Sequence, residues 1–318
     1  MARVELKRYI EKRGDSWSLL VVAVHIAFVF TPVYLAVVGG IGWQLLALWL
    51  WFGLAMNGLL NLMHEASHYH VFRARRGSDI LGRWILGPMA MADFDSYRDR
   101  HWNHHRHLGD PDDPKTTYHN DIHGWRIVRY LLRCMLLIEA LKRFAIQTDA
   151  ADEDELDPPL LSRVWMARVL IGQGVLAASI FALSWVLHRD DPRQALLLAA
   201  VAYLGVYGYG LASVTVFAAA MRAIAEHQLA DDAGPRVGAA ALRNFSRNPV
   251  SWLVLGSYGF AEHATHHREP AIPYYRLPAA TTELAQAEPA LAPRSGYVAT
   301  LFTLVRRPSG PSTVETVH

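Results

Sequence analysis

The chain has 318 residues, of which 52% are hydrophobic and only 19% are charged, below the roughly 25% charged residues of a soluble domain. The net charge of +2 excludes the strongly basic field of a nucleic-acid-binding protein, and the composition excludes a disordered chain. A single cysteine, Cys134, rules out an internal disulfide, CxxC redox chemistry and a cysteine-based metal site. Histidine, with 16 copies, is the residue type in unusual excess.

The first predicted element is a pair of membrane-spanning helices. No Asp, Glu, Lys or Arg occurs from Ser16 to His64, a run long enough for two spans of about 20 residues each. A Gly-Gly-Ile-Gly turn signal at 39–42 divides the run and predicts helices over about 17–38 and 43–63. A soluble all-helical protein would need a polar face here, and a cleaved signal peptide would have a shorter apolar region.

A long polar segment follows, and it contains two shorter apolar runs, Asp79 to Ala92 and Trp125 to Phe144. In the second run, Arg and Lys alternate with Leu and Ile. This basic amphipathic pattern is typical of a helix that lies along the membrane surface, although a helix packed against a cytosolic domain would show it equally. The acidic stretch from Asp149 to Asp157 is expected to be a solvated loop before the third span.

A second pair of spans is predicted from two further charge-free runs, Val169 to His188 and Gln194 to Met221. Lys and Arg are concentrated before the first span, between the two pairs and after the fourth span, whereas the short links hold only Arg189 and Arg193. The positive-inside rule therefore predicts that both termini and the long segments are cytosolic. The predicted fold is an all-α, multi-pass integral membrane protein with two transmembrane hairpins and a cytosolic helical cap.

The predicted organisation has four segments. They are the N-terminus with the first hairpin (1–63), a cytosolic segment with two histidine clusters and the interfacial helices (64–158), the second hairpin (159–221), and a cytosolic segment with the third cluster and the tail (222–318).

Three histidine clusters fall in the segments predicted to be cytosolic. The first is His-Glu-Ala-Ser-His at 64–68, and the other two share the pattern His-x-x-His-His, at 101–105 and 263–267. Because residues i and i+4 share a helical face and i+3 lies beside them, each cluster can aim two or three imidazoles at one point. Imidazole ligands suit Fe, Zn, Cu or Ni better than Mg or Ca.

One further histidine, His227, follows the fourth span as His64 ends the second. It brings the set to nine imidazoles, too many for one metal ion and suited to two ions with four or five ligands each. His70 and His107 lie two residues beyond a cluster, on another face, and are not predicted to be ligands. The predicted ligands are His64, His68, His101, His104, His105, His227, His263, His266 and His267.

Polar residues near the clusters are candidates to support the ligands, because a metal-bound histidine needs an acceptor for its other N–H. The nearby carboxylates are Glu65, Asp95, Asp110, Glu226 and Glu262. Asn57 and Asn61 precede His64 on one helical face, where they could hold a metal-bound water or line a substrate channel. Ordinary capping or solvation fits all these residues equally well. The predicted site residues besides the ligands are Glu65, Asn61 and Glu226.

These features together resemble the membrane fatty-acid desaturase and hydroxylase superfamily over about residues 15–280. The three clusters match its histidine boxes in order, spacing and membrane position. The third box continues into Tyr-Tyr-Arg-Leu-Pro at 274–278 and the second into Gly-Asp-Pro-Asp-Asp-Pro at 109–114, as in related sequences. Arg268 departs from the apolar residue usual after the third box, and residues 281–318 match no recognised pattern.

The resemblance implies a non-haem diiron enzyme whose nine histidines bind two Fe ions. The family uses O2 and two external electrons to attack an unactivated C–H bond. Loss of a neighbouring hydrogen then gives a double bond, whereas oxygen transfer gives an alcohol, and the boxes do not distinguish these outcomes. Because imidazole sites prefer zinc to ferrous iron, overproduced protein is expected to acquire Zn as well.

Substrate and redox partner follow from what the chain contains. The apolar spans and the lack of a large soluble substrate domain favour a lipid-like acyl substrate, with alkanes, sterol-like and carotenoid-type compounds as alternatives. The sequence has no His-Pro-Gly-Gly haem motif, and one cysteine cannot hold an iron–sulfur centre. Electrons are therefore expected from a separate ferredoxin, rubredoxin or cytochrome b5 type carrier and its reductase.

An alternative function comes from the first cluster alone. His-Glu-Ala-Ser-His also matches His-Glu-x-x-His, the zinc-protease pattern in which two histidines bind zinc and the glutamate, here Glu65, activates water. An intramembrane zinc metalloprotease would explain this cluster but would leave both His-x-x-His-His clusters unused. No Asp-Gly motif for a third ligand follows in a later helix.

Overall fold

The computed structural model describes residues 6–110, 112–114, 122, 124–142, 163–227 and 242–306. Within this part of the chain the regular elements are helical and no strand occurs. The acidic stretch predicted to be a solvated loop, 149–157, lies outside the described residues. The main helices are α1 (Asp15–Gly39), α2 (Gln44–Ser67), α3 (Arg75–Leu81), α4 (Phe94–Arg106), α5 (Trp125–Met135), α6 (Arg163–Leu187), α7 (Pro192–His227), α8 (His263–Arg268), α9 (Leu277–Ala287) and α10 (Tyr297–Arg306).

The first hairpin is confirmed by α1 and α2, which are both long and apolar enough to span a membrane. The chain reverses between them at Gly40, whose φ of +69° is a conformation that glycine adopts without strain. Helix α2 runs on to Ser67, four residues beyond the predicted end of the span. This extra turn carries His64 and places His68 at the helix C-cap.

The second hairpin is confirmed by α6 and α7, and α7 is longer than predicted. It is one continuous helix of 36 residues that includes two π-helical stretches, Val201–Tyr209 and Leu211–Thr215. At about 1.5 Å per residue such a helix is about 54 Å long, well beyond the roughly 30 Å apolar thickness of a bilayer. Its C-terminal turns therefore project beyond the apolar layer and carry Glu226 and His227.

Small residues let α2 and α7 pack closely, as is common between membrane helices. A Cβ on Gly53 of α2 would overlap Val214 of α7, and a Cβ on Gly210 of α7 would lie 2.7 Å from the ring of Phe52. Because alternate spans run in the same direction, the C-terminal ends of α2 and α7 emerge on the same side. This packing places His64 and His227 at the same end of the helix bundle.

The two shorter apolar runs form helices that pack against the spans. Helix α3 continues through a π-helical turn, Gly82–Leu86, into Gly87–Ala90, and this unit contacts α2 and α6. Helix α5 packs against α7 and α10 through Ile127 and Cys134, which are buried, while Trp125 and Leu132 stay exposed. The run from Trp125 is interrupted at Leu137, which has a φ of +63°. Packing of α5 against α7 and α10 is thus observed, and its contact with a membrane surface stays a prediction.

Candidate metal centre

Five of the predicted ligands converge in what we call the five-histidine group. Each offers one ring nitrogen, and these nitrogens all lie within 4.8 Å of one another. The Nε2 atom of His101 lies 2.7 Å from that of His68 and 3.0 Å from that of His105, whose Nε2 lies 3.2 Å from that of His266. Helices α2, α4 and α8 together supply the members, which are His64, His68, His101, His105 and His266.

Three further residues, Glu226, His227 and His263, form a second set that we call the carboxylate group. Their ligand atoms also lie within 4.8 Å of one another. The Nε2 atoms of His227 and His263 are 3.1 Å apart. The Oε2 atom of Glu226 lies 3.9 Å from the first nitrogen and 3.8 Å from the second. The C-terminus of α7 and the start of α8 therefore meet at this group.

The remaining two predicted ligands, His104 and His267, lie at the border between the groups. The centroid of the His104 ring is 4.8 Å from that of His267 and 5.1 Å from that of His227. His267 lies 4.6 Å from His263 and stacks on His105 at 4.1 Å. The structure thus brings all nine predicted histidines into one continuous cluster.

The two His-x-x-His-His boxes divide between the groups in opposite ways. The second box gives its first and last histidines, His101 and His105, to the five-histidine group and leaves His104 beside the carboxylate group. The third box gives its middle histidine, His266, to the five-histidine group, whereas His263 belongs to the carboxylate group. The same spacing is therefore used in two orientations, which the sequence pattern does not reveal.

The residues present fit transition-metal ions. Two atoms bound to one ion at about 2.1 Å can be at most about 4.2 Å apart. The three nitrogen–nitrogen distances given for the five-histidine group, 2.7, 3.0 and 3.2 Å, are below that limit, as are the distances of 3.1, 3.8 and 3.9 Å within the carboxylate group. Within the described residues, Nε2 of His64 and both ring nitrogens of His267 have no hydrogen-bond partner although they are buried. Buried polar atoms of this kind are rare unless a ligand satisfies them.

Burial also keeps these imidazoles in the form that binds metals. Desolvation lowers the pKa of His68 well below its ordinary value, and the neighbouring His266 and His105 lower it further. The pKa of His267 is lowered well below its ordinary value in the same way, by desolvation first and by His105 next. Neutral imidazole, rather than imidazolium, is the metal ligand.

Two carboxylates hold histidines from the side away from the cluster. The Nδ1 atom of His64 lies 3.2 Å from Oε1 of Glu65, and Nδ1 of His104 lies 2.8 Å from Oδ1 of Asp113. Since a carboxylate only accepts hydrogen bonds, each Nδ1 donates and each Nε2 keeps a lone pair for a metal. Glu65 also accepts from His70 and from the backbone N–H of Tyr274, each at 3.1 Å.

The other sequence candidates are placed differently. Asp95 is bonded to Arg83 at 2.8 and 2.9 Å, and Glu262 to Arg247 at 2.8 Å; both contacts are with arginines rather than histidines. The amide nitrogen of Asn61 donates to the carbonyl oxygens of Leu255 and Ser257, each at 3.1 Å.

The amide nitrogen of Asn57 likewise donates to the carbonyl oxygens of Val254 and Leu255, at 3.1 and 3.3 Å. The two asparagines thus tie α2 to the π-helix Val250–Leu255.

Sequence reasoning missed two supporting features. Asp113 lies in the quoted Gly-Asp-Pro-Asp-Asp-Pro stretch, but that stretch has three aspartates and the spacing does not select one of them. Asn244 braces the third box: its Oδ1 accepts the N–H of Thr265 at 3.1 Å, and its Nδ2 donates to Oγ1 of Thr265 at 2.8 Å. Thr281 of α9 also donates to that hydroxyl, at 2.8 Å. No sequence signal pointed to this network.

A cavity of about 1090 Å³ lies beside α1 and the loop that precedes the third box. Arg13 and Tyr275 line it at the level of the cap, and Trp51 lines it among the spans. Tyr274 forms part of its wall, and the N–H of this residue donates to Glu65, which in turn contacts His64. The cavity therefore comes close to the five-histidine group, and aromatic and apolar side chains supply most of its lining.

A family model described as fatty acid desaturase matches residues 41–297. This range is well over half of the chain and includes all three histidine boxes and His227. The chain therefore belongs to the fatty acid desaturase family, as its boxes predicted, and is a membrane-associated oxidoreductase of the desaturase and hydroxylase type that acts on lipid. No curated protein matches it. The family match ends at 297 rather than near 280, so α9 lies within it.

Proposed function

We propose that the protein is an O2-dependent non-haem diiron enzyme of the oxygenase class EC 1.14, which desaturates or hydroxylates an unactivated C–H position of a lipid-like acyl chain. One observation carries this proposal: nine histidines from three boxes and α7 form one cluster, seven of them in two adjoining groups that could each bind one metal ion and two at the border between the groups. Two iron ions held there would supply the redox chemistry that activates O2 with two external electrons.

The protein's own side chains would orient the ligands and exclude water. Glu65 and Asp113 fix the rings of His64 and His104 through their Nδ1 atoms, so the Nε2 atoms point inward. The ring of Phe260 covers the cluster, with its centroid 4.5 Å from that of His64 and 5.5 Å from that of His263. A site that excludes water limits side reactions of reactive intermediates.

The cavity beside α1 supports an acyl chain as the substrate. Its volume of about 1090 Å³ slightly exceeds the usual range for small-molecule sites, about 300–1,000 Å³, and its lining is mostly apolar and aromatic. Its lining residues on α1 extend from Trp17 to Phe28, a stretch of about 16 Å at 1.5 Å per residue. An extended hydrocarbon chain suits this shape better than a compact polar metabolite.

Product analysis tests the reaction. The purified enzyme is supplied with electrons, O2 and candidate acyl substrates, and the products are examined by mass spectrometry. Loss of two mass units indicates desaturation, and gain of one oxygen indicates hydroxylation. We expect one of these products only when O2 and reductant are both present, and their absence for every acyl, alkane, sterol-like and carotenoid substrate would contradict the proposal.

The electrons would come from a separate carrier of the ferredoxin, rubredoxin or cytochrome b5 type with its reductase. The only cysteine, Cys134, is buried in α5 and cannot hold an iron–sulfur centre alone. Basic side chains on the exposed surface of the cap, such as Arg76 and Arg106, suit an acidic carrier, because charge complementarity raises the rate of encounter. Turnover should therefore require an added carrier and should fall as the salt concentration rises.

The placement of Glu65 favours oxidation over the protease alternative. Its two carboxylate oxygens accept hydrogen bonds from His64, His70 and the backbone of Tyr274, on the Nδ1 side of the ring. A general base for hydrolysis would have to face a water on the metal, which lies on the Nε2 side. The protease alternative also leaves the other seven histidines of the cluster without a role.

Both termini and the metal cluster are proposed to face the cytosol, on the evidence of the Lys and Arg distribution. Reporter fusions test this orientation. Fusions at residues 110, 155 and 300 should report the cytosol, whereas fusions at 41 and 190 should report the opposite side. A non-cytosolic signal at 110 would place the second box across the membrane from the first and would contradict a shared site.

A further inference from the structure

Three glutamates stand directly beside a predicted ligand in the sequence: Glu65 follows His64, Glu226 precedes His227, and Glu262 precedes His263. All three are buried. Sequence spacing alone gives them the same expected role, that of an acceptor for a histidine N–H. Their contacts in the structure differ, and the difference depends on which nitrogen of the ring, if any, each carboxylate faces.

Two of these carboxylates do not face the metal-binding nitrogens. Glu65 contacts Nδ1 of His64 and Nδ1 of His70, the nitrogens that point away from the cluster. Glu262 is bonded to Nε of Arg247 at 2.8 Å, and it has no histidine within ion-pair distance among the described residues. Neither glutamate is placed to share an ion with the histidines.

Glu226 is placed differently, because it faces the converging nitrogens themselves. Its Oε2 lies 3.9 Å from Nε2 of His227 and 3.8 Å from Nε2 of His263, while the two nitrogens are 3.1 Å apart. Separations of 3.8–3.9 Å are too long for hydrogen bonds. They are, however, below the limit of about 4.2 Å for two atoms on one ion. The three atoms therefore have the spacing of ligands around a common ion.

The other oxygen of Glu226 is held by a residue of α10. The hydroxyl of Tyr297 donates to Oε1 at 2.8 Å. Tyr297 is fully buried, and burial raises the pKa of its phenol well above the ordinary value, so the hydroxyl stays a donor. Arg222 lies 3.7 Å from Oε1, beyond hydrogen-bond range, with its guanidinium 3.8 Å over the ring of Phe260. Tyr297 thus fixes the carboxylate with Oε2 directed at the two histidines.

We propose that Glu226 is itself a metal ligand, so that the second metal position combines one carboxylate oxygen with His227 and His263, and that Tyr297 is its positioning residue. The proposal deepens the function proposed above but needs only metal binding, not turnover. It makes the two positions chemically unequal. The five-histidine group offers nitrogen alone, whereas the carboxylate group offers an anionic oxygen that neutralises part of the charge of its ion.

Anaerobic titration of the metal-free, full-length protein with Co²⁺ tests the proposal without any catalysis. The absorption of Co²⁺ reports ligand type and number, and the wild type should bind two equivalents. In Glu226→Gln we expect the second equivalent to bind more weakly by more than the roughly 10–100-fold that loss of an orienting residue costs, with an altered spectrum. The first equivalent should keep its affinity and spectrum.

Glu262→Gln is the matched control. It removes the same charge from a glutamate that is also buried and also precedes a predicted ligand. Both equivalents should bind to this variant as they do to the wild type. Because the two variants differ in which carboxylate is neutralised, a general effect of lost charge on folding would appear in both.

Tyr297→Phe tests the positioning role. The phenylalanine keeps the ring that stacks on Phe245 at 3.8 Å, so the fold should be retained, but the donor to Glu226 is lost. The affinity for the second equivalent of Co²⁺ should fall about 10–100-fold, less than in Glu226→Gln, and the affinity for the first equivalent should not change. The proposal is overturned if Glu226→Gln binds the second equivalent within about threefold of the wild type, or if both equivalents weaken alike. Failure of the product analysis with wild-type enzyme would instead contradict the proposed reaction and leave this titration unaffected.

Discussion

The five-histidine group and the carboxylate group lie side by side but are assembled in different ways. The first is built from residues one helical turn apart, His64 with His68 and His101 with His105, and is completed by His266. The second joins the far end of α7 to the start of α8, and its carboxylate is held by Tyr297 from α10. Local helix geometry therefore supplies two pairs of ligands in the first group, whereas every contact in the second except the one between the adjacent Glu226 and His227 depends on the packing of segments distant in the chain.

This difference explains which parts of the site short-range patterns can reveal. Two imidazoles at i and i+4 on a helix lie on one face, so the pairs His64 with His68 and His101 with His105 are implied by their motifs, whereas the meeting of these pairs with His266 is not. The carboxylate group exists only because α7 continues as a helix to His227 and α10 packs against it. Substitutions should consequently affect the two groups unequally.

The largest expected effect is the loss of one ion from the carboxylate group. His263→Ala removes one of the three residues of that group, whereas His105→Ala removes one of the five residues of the other group. We expect His263→Ala to lose one metal ion per chain and all detectable turnover, and His105→Ala to retain two ions with weakened binding. Elemental analysis provides the measurement, with His188→Ala, at the opposite end of the spans, as the control. Equal losses in the two variants would remove the distinction between the groups.

A smaller effect is expected from the carboxylates that orient single rings. Glu65→Gln should lower the affinity of the five-histidine group for its metal ion about 10–100-fold, because Glu65 orients the ring of His64 through Nδ1. Asp113→Asn should lower the affinity of the carboxylate group for its ion by a similar factor, because Asp113 orients the ring of His104. Metal titration of the two variants assigns each effect to one equivalent. Under the protease alternative, Glu65→Gln would instead abolish activity with its metal fully retained, and Asp113→Asn would have no effect.

Much of the fold followed from charge patterning, and the remainder depended on tertiary contacts. The gaps between charged residues predicted both hairpins, because a lipid-facing helix cannot carry unpaired charges cheaply. The gaps did not predict that α7 continues to His227, because its last turns contain Arg222 and Glu226 and lie outside the charge-free run. They also gave no sign of α10, which lies in the part of the tail that matched no pattern.

The site was predictable as a set of residues but not as an arrangement. The nine histidines were named from spacing, and the structure brings them together. The opposite division of the two His-x-x-His-His boxes depends on how α4 and α8 are rotated about their axes, which a five-residue motif does not encode. The different environments of Glu65, Glu226 and Glu262 likewise depend on partners far away in sequence, namely Tyr274, Tyr297 and Arg247.

Substitution of Asn244, which holds the third box through Thr265, should affect metal binding at the two groups equally. Asn244 holds Thr265, and this box supplies His266 to one group and His263 to the other. Asn244→Ala leaves buried polar groups unpaired, which costs about 1–3 kcal/mol. We expect a lower thermal unfolding midpoint and a similar weakening of both metal equivalents. A change confined to one equivalent would show that the box does not move as a unit.

The smallest effect is a pH dependence of the metal-free protein, and it should also be shared by the groups. Burial lowers the pKa of His68 and of His267, while in the unfolded chain both titrate near 6.5. Below about pH 6.5 the unfolded chain therefore binds protons that the folded protein does not, and stability falls as the pH falls. Thermal unfolding of the metal-free protein should show a flat midpoint above about pH 7 and a decrease below it. A midpoint that rises toward pH 5 would contradict the neutral, buried state of these rings.

The most direct test of the account is the metal content of the full-length protein. Membrane-extracted protein is freed of metal, reconstituted anaerobically with ferrous iron, separated from unbound iron and measured by elemental analysis against protein concentration. The two adjoining groups predict two iron ions per chain in the wild type, falling to one in His263→Ala. A wild-type ratio of one or less, unchanged when His263 is replaced, would contradict the central claim that the histidine cluster is a two-metal centre.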